Sequence, residues 1–220
     1  MLERDYLMRL ISQAASVLGR SMGLREHMKQ QEALEMIDEF LSKELRLRSR
    51  LAMGLTDEQL LQMLTVGGVP NAESVAVIAA CLQEEAILLA DLGQADQAIP
   101  RYAKALRLNL YLLRENVEIE GWNLGARAEE LLEALSPYRL DVETKRAIWS
   151  WHESNASFAD AEDLLYELFE ETGVTAREGE EFYARLSAIP DDGLIAGGMP
   201  RNELEEGRRQ WQALVKENIG

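Results

Sequence analysis

The sequence predicts an all-α fold on three observations. Apolar residues return every three or four positions in nearly every segment, strand-like alternation is scarce, and the segments are separated by capping residues or by Gly and Pro. The first helix carries Leu7, Leu10, Ile11, Ala14, Val17 and Leu18 on one stripe. A second, over residues 30–50, repeats the pattern through Ala33, Leu34, Ile37, Phe40, Leu41 and Leu45. Thr56 and Gln59 stand in capping-box register, where each side chain satisfies a backbone N–H at the other residue, and they open a short helix with Leu60, Leu61 and Leu64. Asn71 caps a long helix through Val75, Ile78, Leu82, Leu88 and Leu89. The next helix spans residues 94–120, with Pro100 expected to kink it by removing a hydrogen bond, and another follows over 121–135. Ser136-Pro137 interrupts the pattern, which makes residues 136–141 the seam in what otherwise reads as a single helical domain over 1–220. Further helices cover 141–154, 158–172 and 175–187, the last opened by a Thr175–Glu178 capping box. A final one follows Pro200 with Leu204, Trp211, Leu214 and Val215. In all, about ten helices are expected, with short connections.

Self-comparison adds organisation to this list of helices. The stretch from Leu92 to Ile99, continuing to Tyr102 and to Lys104-Ala105-Leu106-Arg107-Leu108-Asn109, resembles the second half of a tetratricopeptide repeat. Gly93 falls at the inter-helix Gly, Ala98 and Ala105 at the small positions, and Tyr102 at the aromatic one. Small residues there let two antiparallel helices approach, and the aromatic fills space toward the next repeat. The preceding helix matches less closely: Leu82, Ala86 and Leu89 fit, but Glu85 replaces an apolar residue and Leu110 replaces the terminal Pro. Weaker copies place Ala33 and Ala161 as counterparts of Ala98, 65 and 63 residues away, so further helices separate the hairpins. A second echo pairs Gly67-Gly68-Val69-Pro70 with Gly197-Gly198-Met199-Pro200, both expected to punctuate helices. Together these features resemble a small uncharacterised bacterial family of tetratricopeptide-like proteins. Its members begin with an amphipathic helix like residues 5–11, carry an Ala-Glu-Asp-x-Leu segment like Ala161 to Leu165, and end on a turn like Gly197 to Pro200. The resemblance implies an irregular right-handed array of helical hairpins, an α-solenoid, and brings no established activity.

Composition excludes several classes of function. With 47% hydrophobic residues in 220, the chain can build a substantial core, so disorder is not expected. Lys and Arg number 23 against 39 Asp and Glu, and a net charge of −16 argues against nucleic acid and against an anionic membrane surface. A single Cys81, an acidic N-terminus and the lack of an apolar run long enough to span a bilayer point to a cytoplasmic protein. The charge is uneven: residues 1–110 hold 12 bases and 15 acids, residues 111–220 hold 11 and 24, and 153–181 alone hold ten acids and one base, Arg177. That stretch reads as a solvated face or as a dock for a basic partner, the former preferred.

Chemistry-bearing constellations are sparse. The two histidines, His27 and His152, stand in no metal-ligand spacing, and no cofactor is expected. Cys81 lies among Val77, Ile78, Ala79, Ala80 and Leu82, the setting of a buried small hydrophobe rather than a nucleophile. No phosphate-cradling loop or nucleophile elbow is present. Tetratricopeptide arrays bind peptides along the face made by the first helix of each hairpin, and the resemblance puts Arg25, Gln83, Ile87, Arg146, Ser150 and Glu153 on it. Trp151 is added as an exposed anchor, because Trp149 falls at a packing position. Gln83 and Ile87 do not supply the Lys and Asn of a carboxylate clamp. The expectation is a non-catalytic interaction or scaffold module with a protein or peptide partner. Self-association into a homodimer is its main variant, since an irregular array leaves apolar faces that a second copy can cover. The alternative is a small-ligand sensor or enzyme with a pocket between repeat units near His152.

Overall fold

Apolar stripes at helical spacing become twelve helices among residues 2–219, which the computed structural model describes, with side chains described for residues 5–217. Contacts divide the chain into two compact units, residues 1–139 and 140–220, and the break falls inside the 136–141 stretch where Ser136-Pro137 interrupts the periodicity. The first unit holds α1 (Leu2–Glu26), α2 (Gln30–Glu44), α3 (Ser49–Gly54), α4 (Asp57–Met63), a hairpin of β1 (Thr65–Val66) and β2 (Val69–Pro70), α5 (Ala72–Asp91), α6 (Ala95–Arg114) and α7 (Leu124–Leu135). The second holds α8 (Val142–Ser154), α9 (Phe158–Glu170), α10 (Ala176–Ser187), α11 (Asp191–Ala196) and α12 (Arg201–Ile219).

Three helix-to-helix turns share one geometry. After α1, α5 and α8 the chain places one residue in the left-handed region: Met28 at φ 59°, Gly93 at 73° and Ala156 at 56°. In each, the next N–H reaches back to the helix, Lys29 to the Leu24 carbonyl, Gln94 to Leu89 and Ser157 to His152, all at 2.9 Å. This double closure satisfies carbonyls that a helix end otherwise leaves unpaired. Five residues after each left-handed residue comes an alanine, Ala33, Ala98 or Ala161, and all three are buried. A methyl group at that point lets the second helix of the hairpin settle closely on the first.

In the first unit α5 is the central helix, packed on α6, α1 and α2. Its residues from Ser74 to Ala86 are buried without a break, as a helix covered on several sides requires. Its polar residues therefore need partners. Glu85 accepts from Ser49 Oγ on α3 and from Arg101 Nε on α6 at 3.0 Å. Burial pushes its carboxyl above the usual glutamate range, against the pull of those two donors. Lys104, also buried, donates to the Leu55 carbonyl and lies 3.3 Å from Asp57.

Several boundaries differ from the sequence reading. The helix expected over 30–50 is two, because Arg46 takes φ 53° and Asp38 anchors a new start, accepting from Ser49 N at 2.9 Å and from Arg48 at 2.8 Å. The helix expected over 94–120 ends at Arg114, where Asn116 takes φ 53° and Val117 N closes on the Leu112 carbonyl. The following helix starts at Leu124 rather than 121, capped by Asn123, whose side chain accepts from Ala126 N. Pro100 lies within an unbroken α6; the bond it forfeits is in the second turn, on the exposed side. The Gly-Gly echo takes two forms. Gly67 and Gly68, at φ 61° and 88°, form the two-residue turn of the β1–β2 hairpin between Val66 and Val69. Gly197 and Gly198 instead end α11, only Gly198 having positive φ, with Met199 N closing on the Leu194 carbonyl.

The second unit is built on rings. Trp149, Phe158, Phe182, Tyr183 and Trp211 are buried in one cluster. Two glycines make the close approaches possible: a Cβ at Gly179 would lie 2.0 Å from the Trp211 indole, and one at Gly197 would lie 2.2 Å from the Phe158 ring. Trp211 Nε1 donates to the Ala176 carbonyl at 3.3 Å, and Tyr183 donates to Glu162.

Candidate functional site

α1, α5, α7 and the 121–123 turn wall a groove of about 400 Å³ within the first unit. Leu18, Met22 and Arg25 come from α1, Ala80, Gln83, Glu84 and Ile87 from α5, and Ala126, Arg127 and Glu130 from α7, with Trp122 at the turn. Each wall follows from local sequence. Residues 18, 22 and 25, and likewise 80, 83, 84 and 87, share a helix face by their three-and-four spacing. Trp122 is carried by a tight turn with Gly121 at φ 76°, closed by Trp122 N on the Ile119 carbonyl at 3.0 Å.

The polar groups in the groove are tied to one another. Gln83 donates to Glu130 Oε2 at 2.9 Å and accepts from Arg127 Nη1 at 3.1 Å. The Arg127 guanidinium lies 4.8 Å from the centre of the Trp122 ring, within cation–π range. Burial lowers the Arg127 pKa from its ordinary value, with Glu130 pulling the other way. Glu84 accepts from Ser21 Oγ at 2.7 Å, and Arg25 pairs with Asp91 at 3.3 Å at the rim. Behind the wall, Cys81 is fully buried, and desolvation pushes its thiol up, so it is held as a neutral small hydrophobe.

Arg25, Gln83 and Ile87, named from the sequence, thus line one groove. Trp122, Arg127 and Glu130 were missed because residues 94–135 read as two nearly continuous helices; the turn formers Gly121 and Asn123 were the available signal. The other candidates stand on α8 in the second unit. Arg146 donates to the Gly173 carbonyl and to Glu178, and Glu153 pairs with Arg185. Ser150 is half-buried. Trp151 is also half-buried, not an exposed anchor, since its ring rests 5.0 Å from that of His152. His152 Nδ1 lies 3.9 Å from Asp160, and burial lowers the His152 pKa despite that carboxylate. Among the described residues no three His, Cys, Asp or Glu side chains gather as a metal ion would need.

The acidic stretch is less bare than its sequence suggests. Of its ten acids, Glu153, Glu167, Glu171, Glu178, Glu180 and Glu181 lie beside Lys or Arg; Arg177 serves Glu181, and the other five are met by four residues from outside 153–181, Lys145, Arg146, Arg185 and Arg208. Arg146 and the Thr175 cap hold the Glu178 pKa down at about 2. Among the described residues no helix is long and apolar enough to cross a membrane.

Residues 1–216 match the model of a family described as a family of unknown function, DUF6483. No curated protein and no solved structure matches the chain.

Proposed function

The chain belongs to DUF6483, a family of unknown function, and from its geometry we propose that it is a non-catalytic, tetratricopeptide-like interaction module of the cytoplasm. A helix or extended peptide of a partner protein enters the groove between α1, α5 and α7. The observation that carries this reading is the character of that groove. Its accessible apolar residues, Leu18, Met22, Ile87 and Ala126, offer burial, while Gln83, Arg127 and Glu130 satisfy one another and so need no substrate to be stable. Such a surface is suited to complementarity, with a ring and an arginine, Trp122 and Arg127, of the kinds that concentrate binding energy at interfaces. The three hairpin turns, each followed five residues later by a buried alanine, support the repeat-like reading. The neutral, buried Cys81 supports the non-catalytic one.

The test is selection of binding peptides from a displayed library on the full chain, followed by titration against an Ile87→Glu variant whose fold is checked by thermal unfolding. A charge placed on the groove wall is expected to weaken the selected peptides at least about tenfold. Peptides that bind Ile87→Glu and the parent protein equally well, or protect other helices from hydrogen exchange, overturn the assignment.

A further inference from the structure

The outward face of α1 is anomalous for this chain. Residues 10–24 contain one charged side chain, Arg20, although 28% of the whole chain is charged. Met8 and Met22 are each 56% exposed, Ala15 and Gly19 are exposed, and Ile11 is half-buried. This face is distinct from the stripe of Leu10, Ala14, Val17 and Ser21 that α1 buries in its own unit. Met8, Ile11, Ala15, Leu18 and Met22 follow spacings of three and four, the period by which one helix seats along another. Gly19 and Gly23 stand beside that stripe. A Cβ at either would meet nothing within 4 Å, so the chain's own packing does not require them. Yet each weakens a helix interior by about 0.5–1 kcal/mol relative to Ala.

We propose that this face is where two copies of the chain pair, their α1 helices antiparallel about a two-fold axis at Ala15. Two properties select a second copy as the occupant. The spacing is self-complementary: about residue 15, Met8 falls opposite Met22 of the second copy, Ile11 opposite its Gly19, Leu18 opposite its Ser12, and Ala15 opposite itself. Ile11 and Leu18 thus each meet a small residue, which lets the helices close up, as an isologous contact demands. The second property is charge. At net −16, two copies repel through most of their surfaces, and an uncharged four-turn face is one on which they can meet. The contact is about 22 Å long at 1.5 Å per residue, and with a width of about two helices it buries roughly 450 Å² per copy. That is short of the about 800 Å² of a standard interface, so the dimer is a weak, reversible one.

Leu18 and Met22 belong both to this face and to the groove wall, so a second copy and a groove peptide compete for them; Ala15 does not line the groove, and a substitution there tests the dimer alone. Sedimentation velocity of the full chain from about 1 µM to about 500 µM is expected to show a monomer–dimer equilibrium with Kd of about 1–100 µM. Ala15→Glu sets two like charges on the axis, and Gly19→Leu blocks close approach. Each is expected to weaken dimerisation at least about tenfold with thermal unfolding intact. Ala15→Cys is expected to cross-link under mild oxidation while Glu35→Cys, on α2, does not; Cys81 is buried and does not compete. A monomer at every concentration overturns the proposal, as does a dimer insensitive to both substitutions or a Glu35→Cys cross-link as fast as that of Ala15→Cys. A monomer that floats with phosphatidylcholine vesicles overturns it in favour of a lipid surface.

Discussion

Residues 1–139 and 140–220 start from the same device and fill it differently. Each uses a hairpin with a left-handed turn residue and a buried alanine five positions later, Met28 and Ala33 in one, Ala156 and Ala161 in the other. The first unit then threads a long buried helix through its middle and ties it down with Glu85–Arg101–Ser49, while Lys104–Asp57 joins α6 to α4. The second instead stacks rings, with Tyr166 and Phe169 5.5 and 4.7 Å from Trp211. The lesson is that turn geometry and one small side chain specify the hairpin, while the core around it is free to be polar and paired or aromatic and close-packed. Each solution has its own weak point: an orphaned charge in the first, a lost ring in the second.

The largest expected effect tests that contrast directly. Trp211→Ala empties the centre of the ring cluster and is expected to cost the second unit about 3–5 kcal/mol, as for other large aromatic truncations. Glu85→Ala leaves Arg101 and Ser49 without their buried acceptor, and the first unit is expected to lose about 3 kcal/mol. Hydrogen exchange of α10 and α12 for one variant and of α5 and α6 for the other reads the two losses. If Glu85→Ala is neutral, the polar ties are dispensable and the contrast between the units fails.

Acid gives a smaller and more local effect. The Glu178 pKa is depressed to about 2, so its contribution is present above the ordinary glutamate value of 4.5 and is lost as pH falls from there through about 2. Arg146→Ala is expected to move the Glu178 titration, followed by carboxyl NMR, up toward 4.5 and to weaken the acid dependence of the second unit. An unchanged titration would show that the Thr175 cap alone sets it.

The smallest expected effect concerns what the units share. Met28→Gly and Ala156→Gly relieve a left-handed residue that carries a Cβ, and each is expected to stabilise its hairpin by up to about 1 kcal/mol, while Gly93→Ala destabilises by a similar amount. Thermal unfolding of the three variants reads the sign. The opposite sign at either new glycine would mean that the turns are not equivalent.

Much of this was legible in the chain. The periodicity, both capping boxes, the Asn71 cap, the burial of Cys81 and Trp149 and the three equivalent alanines depend on neighbours a few residues away, and sequence carries that information. The β1–β2 hairpin was legible too, since Thr65-Val66-Gly67-Gly68-Val69 sets β-branched residues on both sides of a two-residue turn; reading it by analogy with Gly197-Gly198 hid that. Half of the groove lining was named in advance: Arg25, Gln83 and Ile87, which the resemblance put on one face, do share a groove, whereas Trp122, Arg127 and Glu130 reach it through a turn that periodicity passed over.

The sequence by itself determined that this chain is helical, where its hairpins turn, and that its charge is acidic and uneven, because caps, glycines and apolar spacing act within one or two helical turns. Only tertiary structure decided how Gln83, Glu84 and Glu85 are satisfied. Their partners Glu130, Ser21 and Ser49 lie 47, 63 and 36 residues away, and long-range pairing in a buried setting is set by which helices pack together. It also decided that the acids of 153–181 are partly neutralised, since Lys145, Arg146, Arg185 and Arg208 reach them across helices rather than along the chain.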